Sequence, residues 1–306
     1  TVKCNRVNNY GKKTSTTIQY KGFCCRKQGE KMSKIIKHIS RIRDEFDTVI
    51  CGVNGVICNG LDFFPESAEA LIKLYQSGKK IAVASNSGMR VQDLFLLLKR
   101  HGLPMNIFYA MITAGEIAHF YLKNQTAIGT TYFPIVMNEQ SFINGLPYKK
   151  VDNVVLADFI LAETSDQGID VDEWTLLLEQ SLNLQLPLLC VGNDTSVMTK
   201  KGLKAGVGAL AEQYALMGGK IILFGKPDLR VATYLTENMA DLDASRCLFI
   251  GDNMATDMRL GENFGGKNLL LANGIHQLCG DLTRQTDELS ASYGLNIDYC
   301  MERLQW

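Results

Sequence analysis

Short runs of β-branched and aliphatic residues alternate with helical stretches of about 10–15 residues along most of this 306-residue chain. "TVIC" at 48–51 leads, after a glycine-rich turn, to "PESAEALIKLYQSG", with proline at an early helical position and Gly78 as the stop. "KKIAVAS" at 79–85 precedes the helix "VQDLFLLLKRHG". "AMITA" near 110–114 precedes "GEIAHFYLKN". After residue 200 the pattern resumes with "KIILF", "RCLFI" and "NLLLANG", each followed or preceded by a helix. Few folds accept this alternation. It predicts a parallel sheet covered by helices on both faces. Lys34 to Phe46 reads as a further amphipathic helix ahead of the first strand.

The stretch 125–200 carries its own strand and helix patterns, "TTYFPIV", "NVVLADFILAE", "VDEWTLLLEQSLN" and "LPLLCVG". It reads as an inserted α/β domain able to close its own small core, set into a core domain made of 32–124 and 201–306. The GxGxxA at Gly206–Ala211 follows no strand, so it reads as a closely packed helix rather than a dinucleotide fingerprint.

In open α/β sheets, ligands gather beyond the carboxyl ends of the strands. Four such ends stand out: Gly52-Val53-Asn54-Gly55, Ser85-Asn86-Ser87-Gly88, Gly225-Lys226-Pro227 and Gly251-Asp252-Asn253-Met254-Ala255-Thr256-Asp257. Ser85, Asn86 and the amides after them suit phosphoryl oxygens. Lys226 suits the phosphate charge. Asp252 and Asp257 suit a hard divalent cation. The same two acids have a structural alternative, capping a helix or tying the loop, and it stays open here.

Taken in this order, the four segments resemble the four signature motifs of the haloacid dehalogenase (HAD) superfamily. The likeness is closest to its class IIA branch, the NagD-like and p-nitrophenylphosphatase-like phosphatases. "VASN", "FGKPD" and "GDNMATDMRLGENFGG" carry it, together with the insertion between the second and third motifs. The resemblance implies a Rossmann-like parallel-sheet core with a C2-type cap over 125–200. It implies a hydrolase acting on phosphomonoesters with Mg²⁺. In that family the first motif is Asp-x-Asp-Gly, in which one Asp attacks phosphorus and the other exchanges protons. "VICGVNGV" puts Gly52 at the nucleophile and Asn54 at the acid/base position. Both carboxylates are absent, and Mg²⁺ loses a ligand and is held more weakly. Ser85 and Lys226 fall on the phosphate-binding positions, and Asp252 and Asp257 on the metal acids. Asn193 and Asp194 in "GNDTS" lie where the cap returns to the core and are candidates for substrate contact.

Three functions follow as alternatives: a degenerate phosphatase that binds a phosphorylated ligand or a protein partner, an active Mg²⁺-dependent hydrolase using other residues, and a structural subunit. For the second, the neighbours to weigh are Cys51, expected to face the core because adjacent strand residues point to opposite faces, Cys58, which lies past the turn, and Asp62 in what reads as an ordinary loop; none is supported as a nucleophile, which leaves direct attack by water. The third rests on residues 1–31, where Lys3, Arg6, Lys12, Lys13, Lys21, Arg26, Lys27 and Lys31 stand against the single acid Glu30. Such an arm suits RNA or an acidic partner, a targeting role including a mitochondrial one, or a plain extension. Net charge is zero over the whole chain, so nothing beyond this arm points to nucleic acid or membrane. The nine cysteines form no CxxC pair, and the four histidines show no zinc spacing. A reducing intracellular compartment is the expected setting, with a homo-oligomer left open.

Overall fold

A computed structural model describes residues 32–60, 62–124, 127–138 and 141–306, and the backbone of 6–7 and 13–14. It divides into two units, Thr1–Glu30 and Lys31–Trp306. In the first, Arg6–Val7 pairs antiparallel with Lys13–Thr14; the rest of the basic arm expected over 1–31 lies outside the described residues.

The second unit is built on two parallel sheets. The first has seven strands in the order Lys34–Ile35, Tyr299–Met301, Lys267–Leu271, Cys247–Gly251, Thr48–Cys51, Lys80–Ser85 and Phe108–Thr113. Successive residues along its strands alternate between two apolar layers, as a period of two demands. Val49, Cys51, Ile81, Val83, Leu248 and Ile250 face one layer with Leu71, Leu74, Leu94 and Leu98 of the helices Pro65–Gln76 and Val91–Arg100. Ile50, Ala82, Ala84 and Phe249 face the other. Thr48–Cys51 is buried along its whole length, which is why it reads as an unbroken apolar run rather than an alternating one.

The second sheet has five strands in the order Lys149–Lys150, Thr131–Val136, Phe159–Glu163, Leu188–Val191 and Ile221–Phe224. Two expectations are corrected by it. The strand Ile221–Phe224, assigned from sequence to the 201–306 part of the core, pairs with Leu188–Val191 in the second sheet. Its apolar run fits either sheet, and pairing decided the matter. Nor does the inserted region keep its packing to itself. One side of its sheet, with Ile160, Ala162, Leu188 and Cys190, packs on the helix Val207–Leu216 through Leu210 and Tyr214. The other side contributes Phe159, Leu161, Leu189, Val191 and Phe224 to the layer that holds Ile50, Ala82 and Phe249 of the first sheet. The helices Ala114–Asn124 and Leu229–Asn238 add Ala118, Leu122 and Leu235 to that layer.

The helix expected over Lys34–Phe46 is also corrected. Lys34–Ile35 adds an edge strand to Tyr299–Met301, with Lys34 N donating to Asp298 O and Ile36 N to Cys300 O, and only Ile39–Glu45 turns, as a 3₁₀ helix. Here pairing with an available sheet edge overrides helical spacing, as tertiary context commonly does over local propensity. No helix among the described residues is long and apolar enough to cross a membrane.

The topology fixes where a site belongs. From the central strand Thr48–Cys51 the chain moves to Lys80–Ser85 on one side, and later returns to Cys247–Gly251 on the other. The carboxyl ends of these two central neighbours flank the switch point, where open α/β sheets bind ligands.

Candidate functional site

Gly52 follows the first central strand, and its N–H donates to Ile250 O of the second at 3.0 Å. Its φ is not left-handed, so a side chain is sterically admissible there. A Cβ built on Gly52 would lie 3.3 Å from Asp257 Oδ1, 3.5 Å from Lys226 Nζ and 3.5 Å from Val56 Cγ2. The missing side chain would therefore have pointed between an ammonium and a carboxylate.

Those two groups now hold each other. Lys226 Nζ donates to Asp257 Oδ1 at 2.5 Å, with side chains only 7% and 6% exposed. Burial by itself lowers the Lys226 pKa, but Asp257, Asp194 and Asp252 around it outweigh that and hold the ammonium above its ordinary value. Asp257 Oδ2 accepts from Asn253 N at 3.2 Å. Asp252 Oδ2 accepts from Ile275 N at 3.0 Å. Burial pushes Asp252 up to about 7, and the Asp257 carboxylate adds to the push. The turn after Gly52 reaches this acid closely. Gly55 has φ +76°, and a Cβ on it would sit 2.1 Å from the Asp252 carboxyl carbon, so glycine alone fits.

Each residue expected from sequence can be placed. Ser85, 6% exposed, ends the strand beside Gly52 and accepts from Ser87 N at 3.2 Å. Asn86 turns its side chain to groups of the protein, the Asp194 carboxylate and the Lys226 backbone. Its Oδ1 accepts from Lys226 N at 2.6 Å and its Nδ2 donates to Lys226 O at 3.5 Å, so it clamps the lysine's backbone. Asn54 is exposed on the turn, and its Oδ1 accepts from Cys58 Sγ at 3.5 Å. Asp194 follows the carboxyl end of Leu188–Val191, inside the second sheet, and accepts from Asn253 Nδ2 at 2.8 Å and Thr256 Oγ1 at 3.1 Å. Burial raises its pKa, partly opposed by Lys226. Asn193 borders it with its carbonyl set against the helix residue Gly208.

The substitute nucleophiles fare poorly. Cys51 is 1% exposed within the apolar layer under the helices, and burial pushes its thiol up to about 12. Cys58 is likewise pushed up by burial to about 12. A thiol at that value is almost wholly protonated near neutrality and a weak nucleophile. Asp62 is exposed in the short strand Asp62–Phe63, paired with Cys58–Asn59.

A hard cation needs several oxygens. Both Asp257 oxygens are engaged, one Asp252 oxygen is engaged, and position 52 brings none. Among the described residues no group of three His, Cys, Asp or Glu side chains is disposed to hold a metal ion. The donor set does not fit Mg²⁺.

Sequence reasoning missed how much of the site the second sheet supplies. Lys226 and Asp194 follow the ends of Ile221–Phe224 and Leu188–Val191, so two sheets point their carboxyl ends into one cleft. It also missed Asn253 and Thr256 as the holders of Asp194. The signal was present in "GDNMAT", where an Asn and a Thr flank the acids.

The chain matches two family models, Haloacid dehalogenase-like hydrolase over residues 49–142 and HAD-hydrolase-like over 223–294, together more than half of its length. It belongs to the haloacid dehalogenase-like hydrolases. Among similar proteins, a glycerol-3-phosphate phosphatase of Gallus gallus is 22% identical over 92% of this chain and 95% of its own. A haloacid dehalogenase-like hydrolase of Brucella suis 1330 superposes with a TM-score of 0.72 at 22% identity, covering 88% of this chain and 100% of its own. The p-nitrophenyl phosphatase of Archaeoglobus fulgidus gives a TM-score of 0.61 at 22% identity, covering 85% and 97%. At these identities the structural likeness speaks for the fold, a class IIA HAD fold, and the protein is phosphatase-like. Fold alone does not establish chemistry.

Proposed function

We propose that this HAD protein has lost aspartyl-phosphate catalysis and binds a small phosphorylated ligand without turning it over. The observation that carries this reading is Gly52, a position whose Cβ would point at Lys226 and Asp257, with Asp257 giving way slightly to admit it, and which brings no nucleophilic atom. Asn54 cannot exchange a proton near neutral pH, and neither nearby thiol is ionised there. Ser85, the amides after it and the Lys226 ammonium supply what an anion needs. On binding, the phosphoryl group displaces Asp257 as the partner of Lys226. The names of similar phosphatases suggest phosphomonoesters of the size of glycerol phosphate as ligands. The second reading, a Mg²⁺-dependent hydrolase, has no donor set to support it in this site.

The test compares the native protein with the Gly52→Asp, Asn54→Asp double variant on a panel of phosphomonoesters with Mg²⁺. Activity in the variant alone is the expected result. Native turnover abolished by Asp252→Ala would overturn the proposal. Isothermal titration with glycerol phosphate and inorganic phosphate measures binding by the native protein, and silence with both ligands would remove the binding half of the reading.

A further inference from the structure

At the end of the strand Phe159–Glu163 a carboxylate is buried with no cation beside it among the described residues. Glu163 is fully buried, and Ser141 Oγ bonds to its Oε1. Asn138 Nδ2 donates to its Oε2 at 3.2 Å. Burial, opposed by these hydrogen bonds, pushes it up to about 7. The titratable group facing it is the Tyr132 phenol, itself raised by burial and then by Glu163. Among the described residues no ion pair reaches it from the neighbouring strands or from the Ser85–Gly88 turn, where Gly88 lies against its side chain. Such a group is costly to keep, and groups of this kind cluster where a fold has a task for them.

From this acid a continuous set of contacts leads to Lys226. The second amide hydrogen of Asn138 goes to Thr164 O at 3.0 Å. Thr164 Oγ1 lies 3.1 Å from Asn86 O and 3.0 Å from Val191 O. A hydroxyl has one proton, and Val191 O already accepts from Thr164 N at 2.8 Å. Each of the two carbonyls has a lone pair for it, so the proton is shared between Asn86 O and Val191 O, and the Asn86 side chain in turn holds both the N–H and the C=O of Lys226. The arrangement leaves no slack. Gly192, with φ +97°, passes so near that a Cβ would sit 1.7 Å from Thr164 Oγ1.

We propose that Glu163, Asn138, Thr164 and Asn86 form a positioning chain by which the second sheet aims the Lys226 ammonium into the anion site. The proposal rests on the binding reading above in taking Lys226 as the anion's partner. Protonation of Glu163 keeps the chain neutral and favours the anion. Ionisation puts an unpaired negative charge behind the site and weakens binding. Glu163→Gln imitates the protonated form, with its Nε2 donating to Ser141 and its Oε1 accepting from Asn138.

Two measurements on the full chain test it. The first is free of ligand: thermal double-mutant cycles of Thr164→Val and of Glu163→Gln against Lys226→Met, with Lys226→Arg as the second choice if the methionine variant does not fold. Non-additivity of about 2 °C or more in Tm is expected in both cycles, and additive shifts overturn the chain. The second is sulfate affinity from pH 5.5 to 8.5, sulfate being a tetrahedral dianion whose charge is constant over that range. Affinity falls several-fold through pH 7 beyond the fall shown by Glu163→Gln. Matching profiles in the two proteins overturn the control by Glu163. Coupling in the cycles with no sulfate bound by either protein upholds the chain and rejects the anion reading instead.

Discussion

Two loops face each other across the centre of the first sheet, and they have fared differently. The turn after Thr48–Cys51 carries Gly52 and an exposed Asn54 and contributes no ionisable group. The loop after Cys247–Gly251 keeps Asp252 and Asp257, and each is tied to backbone or side-chain partners. The difference lies in what each loop's acids do for the fold. Asp257 is bound into the Lys226 pair, and its loss strands a buried ammonium. A carboxylate at position 52 would stand as a further acid beside Asp257, the two sharing the one ammonium of Lys226. Glycine at this position spares that repulsion at no cost to the apolar layers, because Cys51 and Val53 on either side of it supply the packing. Catalytic residues that strain a fold are easily lost, whereas charged partners that complete each other persist.

The largest effect expected from this contrast is in the Gly52→Asp, Asn54→Asp variant. If the opposite loop is still competent, Mg²⁺-dependent hydrolysis should rise by about 10⁴-fold or more over the native protein, the scale on which a lost nucleophile is felt. Without Mg²⁺ the variant should melt below the native protein, and added Mg²⁺ should raise its Tm far more than the native Tm. Equal responses to Mg²⁺ would break the comparison. Next comes Lys226→Met, which leaves Asp257 buried and unpaired and should cost about 3 kcal/mol in denaturant unfolding. A loss no greater than that of an ordinary surface substitution would mean the pair is not what retains Asp257.

The third effect is a matter of pH. Glu163 has a folded pKa near 7, above its ordinary value of 4.5. The folded state therefore binds the extra proton between those values, and stability is highest below about 4.5 as far as this group decides it. That contribution declines as pH rises to about 7 and is level beyond. The native protein should lose on the order of 2 kcal/mol more than Glu163→Gln across that window. Parallel curves of ΔG against pH would refute the assignment. The smallest effect is that of Cys58→Ala, which should cost about 1 kcal/mol and leave the activity of the revived double variant intact. A loss of that activity would restore the thiol as a participant.

Much of this was legible in the residues. Strand ends at Cys51, Ser85, Phe224 and Gly251 could be read from apolar runs meeting Gly, Ser or Asp, and these ends carry most of the site. Pattern could not assign sheet membership. "KIILF" suits either sheet, and its place was settled by pairing with Leu188–Val191. Lys34–Ile35 was lost for a similar reason, since the edge it joins is formed by Tyr299–Met301, more than 260 residues further along. Asn86 reads as an anion ligand because its neighbours in the motif serve one; only coordinates reveal that its amide holds the Lys226 backbone at both ends and also meets the Asp194 carboxylate. Glu163 and Asn138 escaped notice because, of the strand ends in the inserted region, only the one leading to Asn193 and Asp194 was treated as part of the site.

The apolar layer shared by the two sheets has a consequence for heredity. Phe159, Leu161 and Leu189 from one sheet interlock with Ile50, Ala82 and Phe249 from the other. A cap exchanged for that of a distant relative would arrive with a surface shaped for a different underside, and both halves would be left with ill-matched hydrocarbon at the seam. Recombination therefore has little to offer this lineage. New ligands must be found by point changes at the rim of the cleft, with the two sheets inherited as one piece.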